Sequence, residues 1–321
     1  MKLCVLENLY AALPFPAALD KLASLGIDTL EIGAGGYPGI AHCDPSVLLA
    51  DQAALADFRR ALSDRGMTIA ALAAHGNPVH PNAETAAEYD RQFRDAVRLA
   101  AELGVDTVVG FSGCPGDHPG AQYPNWVTCP WPDDFLRVLE YQWEDVLIPY
   151  WQKTGEFLRE YGVRVAFEMH PGFCVYNSET LLRLRAAVGE VVGANLDPSH
   201  LVWQGCDISA VIRELGRAIY HFHAKDTRID LQNTAAHGVL DTKHYGDEIH
   251  RSWIFRTVGY GHGEDFWRGI ISDLRLVGYD RVMSIEHEDS LLSIDEGLAK
   301  AISFLRPLIL NSEKPGKMAW A

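Results

Sequence analysis

Short apolar runs of the β type alternate with longer amphipathic segments along the chain. The runs are four to six residues long and rich in β-branched side chains, which predicts buried strands. The eight predicted strands are 3–6, 29–32, 68–73, 107–111, 163–167, 191–196, 218–222 and 282–285. The clearest predicted helices between them are 45–64, 83–103, 178–187 and 265–277.

Regular alternation of strand and helix predicts a parallel sheet, because each parallel connection needs a crossover. Eight such units in 321 residues favour a closed (β/α)₈ TIM barrel over an open sheet. No glycine-rich phosphate loop follows any predicted strand, which removes the main argument for a nucleotide-binding fold. We predict one TIM-barrel catalytic domain over residues 1–310 and a C-terminal tail over 311–321.

Two connections are much longer than a minimal barrel requires. One follows strand 4, from Ser112 to about Asp134, and the other follows strand 7, from Ala224 to about Glu264. Both contain aromatic residues, and both leave the carboxyl end of a strand, where barrel active sites lie. Long loops in a compact domain are usually lids or binding surfaces. They predict an enclosed pocket.

The amino-acid composition restricts the kinds of binding partner that the protein can have. The chain has 28 basic and 43 acidic residues, for a net charge of −15. Such a charge repels phosphate backbones and anionic membranes, so we expect neither nucleic acid nor membrane as a partner. The six cysteines form no C-x-x-C pair, no apolar run approaches the length of a membrane span, and no signal peptide is recognisable. These features predict a cytoplasmic protein.

Ionisable residues stand at the ends of four consecutive predicted strands: Glu168, Asp197, His223 and Glu286. In a barrel these ends converge on one small volume. Each residue alone could be a helix cap, a salt-bridge partner or a satisfied core residue. Together, several buried carboxylates need a compensating cation. The set predicts one divalent metal ion, Mn²⁺ in preference to Mg²⁺, Co²⁺ or Zn²⁺.

On these residues the chain resembles the sugar phosphate isomerase/epimerase group of the xylose isomerase-like TIM-barrel superfamily. The resemblance covers nearly the whole chain. It implies that the four strand-end residues bind the metal, that Glu168 and Glu286 also act as acid/base catalysts, and that His200 contacts substrate. It rests on Glu168, on Asp197-Pro198-Ser199-His200, on His223-Ala224-Lys225-Asp226, and on Gly278-Tyr279 before Ile285-Glu286-His287-Glu288.

Some features depart from the ketose epimerases in this group. His170 follows Glu168 by two residues, and the third strand runs into His75 and Asn77. With the long loops, these features resemble a subgroup that includes the larger subunit of C-glycoside deglycosidases. That likeness implies cleavage of 3-oxo-glycosides by elimination, with a small β-rich partner subunit. We predict His170 as a further catalytic residue, and His75, Asn77 and Arg228 as substrate contacts beside His200.

The leading functional hypothesis is a metal-dependent isomerase or epimerase that polarises a sugar carbonyl and removes the α-proton. The alternative is a lyase of the deglycosidase kind, acting on an oxo-sugar glycoside. A barrel that binds a sugar or a protein without catalysis is a third possibility, and a homo-oligomer stays open. Lys225 and Asp226 are expected to pair with each other or to brace the loop after strand 7.

Overall fold

The computed structural model describes residues 1–312, 314 and 316, and it shows a closed barrel of eight parallel strands. Around the barrel the strand order is β1, β10, β7, β6, β5, β4, β3 and β2. The (β/α)₈ prediction is therefore confirmed. The barrel strands are β1 (Lys2–Leu6), β2 (Thr29–Gly36), β3 (Thr68–His75), β4 (Thr107–Gly110), β5 (Arg164–Glu168), β6 (Val192–Leu196), β7 (Ile219–Ala224) and β10 (Val282–Ile285).

Helices surround the barrel and bury apolar stripes against it. They are α1 (Phe15–Ser24), α2 (Pro45–Ala50), α3 (Gln52–Ser63), α4 (Ala83–Leu103), α5 (Asp134–Glu140), α6 (Ile148–Tyr161), α7 (Ser178–Val188), α8 (Pro198–Val202), α9 (Ile208–Leu215), α10 (Leu231–His237), α11 (Glu264–Leu276) and α12 (Ile294–Leu305). Short 3₁₀ turns at Glu7–Tyr10 and Gly216–Ala218 and a π-helical segment at Tyr141–Leu147 complete the assignment. No helix in the described part of the chain is long and apolar enough to cross a membrane.

The single helix predicted over 45–64 is wrong, because the chain breaks at Asp51. Asp51 adopts an extended backbone with φ −123° and accepts hydrogen bonds from the amides of Ala53 and Ala54. It is thus the N-cap of α3 and ends α2 at Ala50. The apolar spacing of residues 45–64 is that of one continuous helix, so it gave no sign of the break. Asp51, a residue type that commonly caps helices, was the available signal.

Strand register brings the carboxyl ends to one level. Glu168 at the end of β5 pairs with Asn195 on β6, and Ser284 on β10 pairs with His223 on β7. Large buried side chains fill the space between the barrel and its helices, as where Phe167 of β5 packs edge-on against Trp151 of α6 with 4.5 Å between the ring centroids. The barrel therefore presents the ends of β5, β6, β7 and β10 as one rigid floor.

Both predicted long connections are present, but they differ in structure. Residues 111–133 after β4 contain no helix or strand. The connection after β7 instead contains β8 (Asp226–Ile229), α10 and β9 (Trp253–Arg256), with β8 and β9 paired antiparallel as a small second sheet. Of the predicted tail, only residues 311, 312, 314 and 316 are described, so that prediction lies largely outside the described residues.

Candidate metal centre

The carboxyl ends of four strands bring Glu168, Asp197, His223 and Glu286 together, with one ligand atom from each inside a 4.8 Å cluster. Glu168 ends β5, His223 lies on β7, and Glu286 directly follows β10. Asp197 is the N-cap of α8 and accepts the Ser199 amide through Oδ1, which leaves Oδ2 for the cluster. The first three side chains are almost completely buried, and the Glu286 side chain is 15% exposed.

Three of these side chains turn into the cluster a buried atom that makes no hydrogen bond of normal geometry: Asp197 Oδ2, His223 Nδ1 and Glu286 Oε2. Their near neighbours are the charged groups of the same cluster, so an ion bound between them would satisfy atoms that are otherwise costly to bury. Burial raises the pKa of Asp197, and the Glu168 and Glu286 carboxylates add to the rise, although the Lys225 ammonium opposes it. Three carboxylates and one imidazole form a donor set that suits a divalent cation. The residues therefore fit the predicted ion.

Behind His223 lies a carboxylate that the sequence reading missed. Glu31, fully buried on β2, accepts hydrogen bonds from His223 Nε2 at 2.9 Å, His221 Nε2 at 2.9 Å and Ser284 Oγ at 2.7 Å. These contacts hold the His223 ring so that Nδ1 faces the cluster, as second-shell carboxylates do for metal-bound histidines. A lone glutamate inside the apolar run 29–32 was the available signal.

Lys225 also enters the cluster. Its Nζ lies 3.1 Å from Asp197 Oδ2, 2.8 Å from Glu286 Oε2 and 2.9 Å from Glu288 Oε2. The predicted pairing with Asp226 is therefore wrong. Burial opposes ionisation of Glu286, but the ammonium of Lys225 and the contact with His223 together outweigh it and lower the pKa of Glu286 to about 2. Lys225 offsets one of the three carboxylate charges in the cluster, and the remaining two match a divalent ion.

Asp226 turns away from the cluster and organises the neighbouring loop. Its Oδ2 accepts the amides of Gly259, Gly261 and His262 at 2.9–3.1 Å, and its Oδ1 contacts His262 Nδ1 at 2.8 Å. A Cβ at Gly261 would lie 2.5 Å from Asp226 Oδ1, so the loop approaches this closely only through a glycine. The expectation that this residue braces the loop agrees with its contacts.

His75 and His200, predicted as substrate contacts, both hold Glu168. His75 Nε2 lies 3.0 Å from Glu168 Oε2, and His200 Nε2 lies 2.9 Å from Glu168 Oε1. Burial opposes ionisation of Glu168, but hydrogen bonds from His200, His223 and His75 hold the pKa of this carboxyl well below its usual range. The two imidazoles therefore keep Glu168 ionised and fix its orientation.

His170 lies at the cavity wall, with its ring centroid 4.1 Å from that of His200. Its Nδ1 is 2.6 Å from the carbonyl oxygen of Pro171, which can only accept, so Nδ1 carries the proton. Burial lowers the pKa of His170 and favours the neutral ring. Its Nε2 is consequently a hydrogen-bond acceptor.

Two predicted substrate contacts lie elsewhere. Asn77 is buried and uses both amide atoms on the backbone of Cys114, so its side chain anchors the loop after β4. Arg228 is exposed on β8 and lines a separate surface cavity with Asp230 and Arg251. The structure does not bring Arg228 to the cavity above the cluster.

A cavity of about 380 Å³ opens above the cluster. Its polar wall contains the charged and imidazole groups described above, and its opposite wall is aromatic. The two walls suit a compact molecule with many hydroxyl groups and one less polar face. The cavity is lined by Leu6, Asn8, Tyr37, Pro38, His75, Phe111, Glu168, His170, Phe173, Lys225, Glu286 and Glu288.

Sequence relatives extend over most of the chain. YfiH, an uncharacterized protein of Bacillus subtilis strain 168, is 40% identical over 316 residues, which are 96% of this chain and 99% of YfiH. The rhizopine catabolism protein MocC of Rhizobium meliloti is 31% identical over 193 residues, 59% of this chain and 54% of MocC. An inosose dehydratase of Geobacillus thermodenitrificans is 24% identical over 304 residues, 94% of this chain and 92% of that enzyme.

Solved structures share the fold at low identity. The IolI protein with a bound zinc atom superimposes with a TM-score of 0.65 at 20% identity, covering 96% of this chain and 98% of that one. The D-psicose 3-epimerase of Clostridium cellulolyticum H10 superimposes with a TM-score of 0.61 at 15% identity, covering 96% and 99%. Residues 19–308 match the family of xylose isomerase-like TIM barrels. With the sequence relative at 40% identity over almost its full length, the chain belongs to the xylose isomerase-like TIM-barrel family.

Proposed function

We propose that this protein is a divalent-metal-dependent lyase that acts on a cyclic polyhydroxy ketone. It removes the proton α to the carbonyl and expels an oxygen substituent from the β-carbon. The observation that carries this proposal is the unequal pair of proton-handling groups beside the metal centre, the acceptor His170 Nε2 and the donor Lys225 Nζ. The proposal replaces the isomerase or epimerase hypothesis as the leading one.

Glu168, Asp197, His223 and Glu286 would hold the ion, and Mn²⁺ remains the ion that we propose. When bound, a divalent cation supplies Lewis-acid polarisation of the carbonyl and stabilises the negative charge that develops on its oxygen. The IolI structure, which shares this fold, contains a bound zinc atom, and this supports a divalent cation in the present chain without fixing its identity.

Elimination needs a base for the C–H bond and an acid for the leaving oxygen. His170 is oriented as a base, because its Nδ1–H is committed to the Pro171 carbonyl and its Nε2 is free to accept. Lys225 is the proposed acid, because the three carboxylates around its Nζ keep the amine protonated at the cavity wall. Both side chains line the same cavity.

In the proposed reaction the proton of the α C–H bond passes to His170 Nε2. The electron pair of that bond forms the new double bond, and the β C–O bond breaks. The leaving oxygen takes a proton from Lys225 Nζ, so a β-hydroxyl departs as water. Return of the His170 proton to Lys225 through solvent restores the enzyme. No oxidant or reductant is required.

Dehydration of an inosose is the first reaction to test, because the inosose dehydratase relative matches 94% of this chain. Protein loaded with Mn²⁺ is incubated with an inosose, and loss of one water is followed by mass spectrometry in H₂O and D₂O. Loss of water that requires the metal supports the proposal. The matched variants are His170→Gln and His250→Gln, where His250 is an exposed histidine in the connection after β7.

Epimerisation is the second candidate, favoured by Glu168 and Glu286, two carboxylates with oxygen atoms within 4.8 Å of one another in the cluster. An epimerase of this design exchanges the α-proton for deuterium in D₂O and returns an isomer of unchanged composition. Deuterium exchange without loss of water would favour this candidate. If neither deuterium exchange nor elimination is seen with several sugar ketones and metal ions, the remaining hypothesis is a barrel that binds a sugar or a protein without catalysis.

A further inference from the structure

Asn8 lines the cavity above the metal centre on the side of β1. It belongs to the 3₁₀ turn Glu7–Tyr10 that follows this strand, and Leu6 before the turn lines the same cavity. β1 pairs with β10, so the turn adjoins the strand end from which Glu286 extends. Asn8 therefore borders the substrate space without belonging to the ion cluster.

The side-chain amide of Asn8 makes no hydrogen bond to any residue that the structure describes. Only its backbone carbonyl is used, as the acceptor of the Ala11 amide at 3.0 Å. Charged groups of the same wall instead contact one another, as Lys225 does with Glu286 and Glu288. A side-chain amide carries two N–H donors and an acceptor oxygen. Asn8 therefore offers the cavity a neutral hydrogen-bonding group that the protein itself does not occupy.

The turn that carries Asn8 is anchored on both sides. Glu7, which is 1% exposed, contacts His42 Nδ1 at 2.6 Å, and the same ring contacts a loop carbonyl oxygen through Nε2 at 2.7 Å. The Tyr10 hydroxyl donates to Asp295 Oδ1 at 2.9 Å. A side chain on an anchored backbone loses less conformational entropy when it binds a ligand than one on a mobile loop. Asn8 is therefore preorganised for binding.

A hydroxyl is the group that suits Asn8 best. Among the described residues that line the cavity there is no arginine, and the lysine of the wall, Lys225, is already held by three carboxylates. The wall thus has no free cationic side chain of this kind for an anionic substituent. A hydroxyl both donates and accepts, which matches an amide that does both.

We propose that Asn8 is a specificity-determining residue that hydrogen-bonds a ring hydroxyl of the substrate, other than the oxygen atoms that the ion would take up. This rests on the proposed lyase function for the substrate class, a polyhydroxylated ring ketone, and adds the residue that selects its hydroxyl pattern. Asn8 takes no part in the proton transfers assigned to His170 and Lys225. Its contribution therefore belongs to substrate binding.

Two cyclic alcohols without a ketone test the assignment without turnover. scyllo-Inositol has a hydroxyl on every ring carbon, whereas trans-1,2-cyclohexanediol has only one vicinal pair to offer the ion. Relaxation of the probe protons by protein-bound Mn²⁺ measures both dissociation constants, also for weak binding. We expect Asn8→Ala to weaken inositol binding about three- to tenfold, the loss of one neutral hydrogen bond, and to change diol binding less than about twofold.

Asn8→Leu keeps most of the side-chain volume without hydrogen-bonding atoms, so it should weaken inositol binding as Asn8→Ala does. Both variants should keep the Mn²⁺ affinity and the Tm of the wild type, because Asn8 contacts neither the ion cluster nor the anchors of the turn. The matched control is Asn311→Ala, an exposed asparagine after α12 and outside the cavity, which should bind both probes as the wild type does.

Equal weakening of both probes in Asn8→Ala would mean that Asn8 shapes the site and would overturn the assignment. Unchanged inositol binding in the variant, or no inositol binding to the wild type, would overturn it too. In the dehydration assay Asn8→Ala should raise KM about three- to tenfold and change kcat less than about threefold. If metal-dependent elimination fails while Asn8→Ala still weakens inositol binding selectively, the lyase function is wrong and the binding role of Asn8 stands.

Discussion

His223 Nε2 lies 2.9 Å from Glu31 Oε2, so one imidazole connects a fully buried carboxylate with the metal centre. Glu31 receives three hydrogen bonds and has no exposure to solvent. Its negative charge holds the His223 ring in place and increases the basicity of the atom that faces the cluster.

We therefore expect Glu31→Gln to weaken binding of Mn²⁺ about 10- to 100-fold, the usual loss for a second-shell change. Glu31 now accepts hydrogen bonds from the imidazoles of His221 and His223. The side-chain amide of the variant can accept from one of them only through its oxygen, and its NH₂ group would face the other as a second donor. Calorimetric titration of metal-free protein with Mn²⁺ measures the effect. Glu190→Gln is the matched control, since the Glu190 side chain is 95% exposed. Equal affinity in the two variants would contradict the positioning role.

The sequence predicted the fold and the convergence of the four strand-end side chains because both follow from strand positions. Glu168, Asp197 and Glu286 end or follow strands whose carboxyl ends must converge, whatever the details of the side chains. Glu31 and Lys225 were not identified as parts of the centre, because their roles depend on which way a side chain turns inside the barrel.

The same reasoning applies to the two predicted substrate contacts that lie outside the cavity above the cluster. Asn77 and Arg228 lie near strand ends, as the residues that line the cavity do. Asn77 instead anchors the Cys114 backbone, and Arg228 is exposed because the connection after β7 folds into the β8–β9 sheet. The pairing register of that small sheet decides the direction of Arg228, and neither composition nor periodicity specifies it.

Lys225→Met should separate metal binding from catalysis. The ammonium shares Asp197 Oδ2 and Glu286 Oε2 with any bound ion, so its removal should leave Mn²⁺ affinity equal or higher. Turnover should fall about 10²- to 10⁴-fold, because the leaving oxygen loses its proton donor. Metal titration and kcat are measured on the same preparations, with the exposed Lys153→Met as control. Loss of metal binding together with activity would assign Lys225 a structural role instead.

Removal of the ion should destabilise the fold. Without a cation, three carboxylates stand together in a buried cluster, so ion binding to the native state raises the free energy of unfolding by about 2.7 kcal/mol at a concentration 100 times the Kd. Chelation should lower Tm and abolish activity, and Mn²⁺ should restore both. Glu286→Gln should remove most of the Mn²⁺-dependent rise in Tm. An unchanged Tm on Mn²⁺ addition to the wild type would exclude a site of useful affinity.

Asp226→Ala should loosen the loop that contains Gly259, Gly261 and His262. Their amides lose a shared acceptor, so hydrogen exchange of residues 257–263 should become at least about tenfold faster, equivalent to about 1.4 kcal/mol of local opening. Asp230→Ala, which removes the N-cap of α10, is the matched control because it should change exchange in 231–237 only. Unchanged exchange across 257–263 would show that other contacts hold this loop.

His42 should make the stability of the fold depend on pH. Its Nδ1 lies 2.6 Å from Glu7 Oε2 and its Nε2 2.7 Å from the Leu13 carbonyl oxygen, so both ring nitrogens face acceptors. The hydrogen bond to Glu7 raises the pKa of His42, although burial opposes the charge. A pKa raised on folding gives stability that is complete below the unfolded value of about 6.5 and is lost as pH rises through the folded value.

The difference in Tm between wild type and His42→Asn should therefore be largest near pH 6 and should shrink toward pH 9, a range that spans the expected titration at about 6.5 and above. Thermal melts across this range, in one buffer series at constant ionic strength, measure it. His250→Asn is the matched control: His250 pairs with Asp247 on the surface and is 70% exposed, so its effect should be small throughout. A constant difference between wild type and His42→Asn would mean that His42 contributes through packing, independently of its charge.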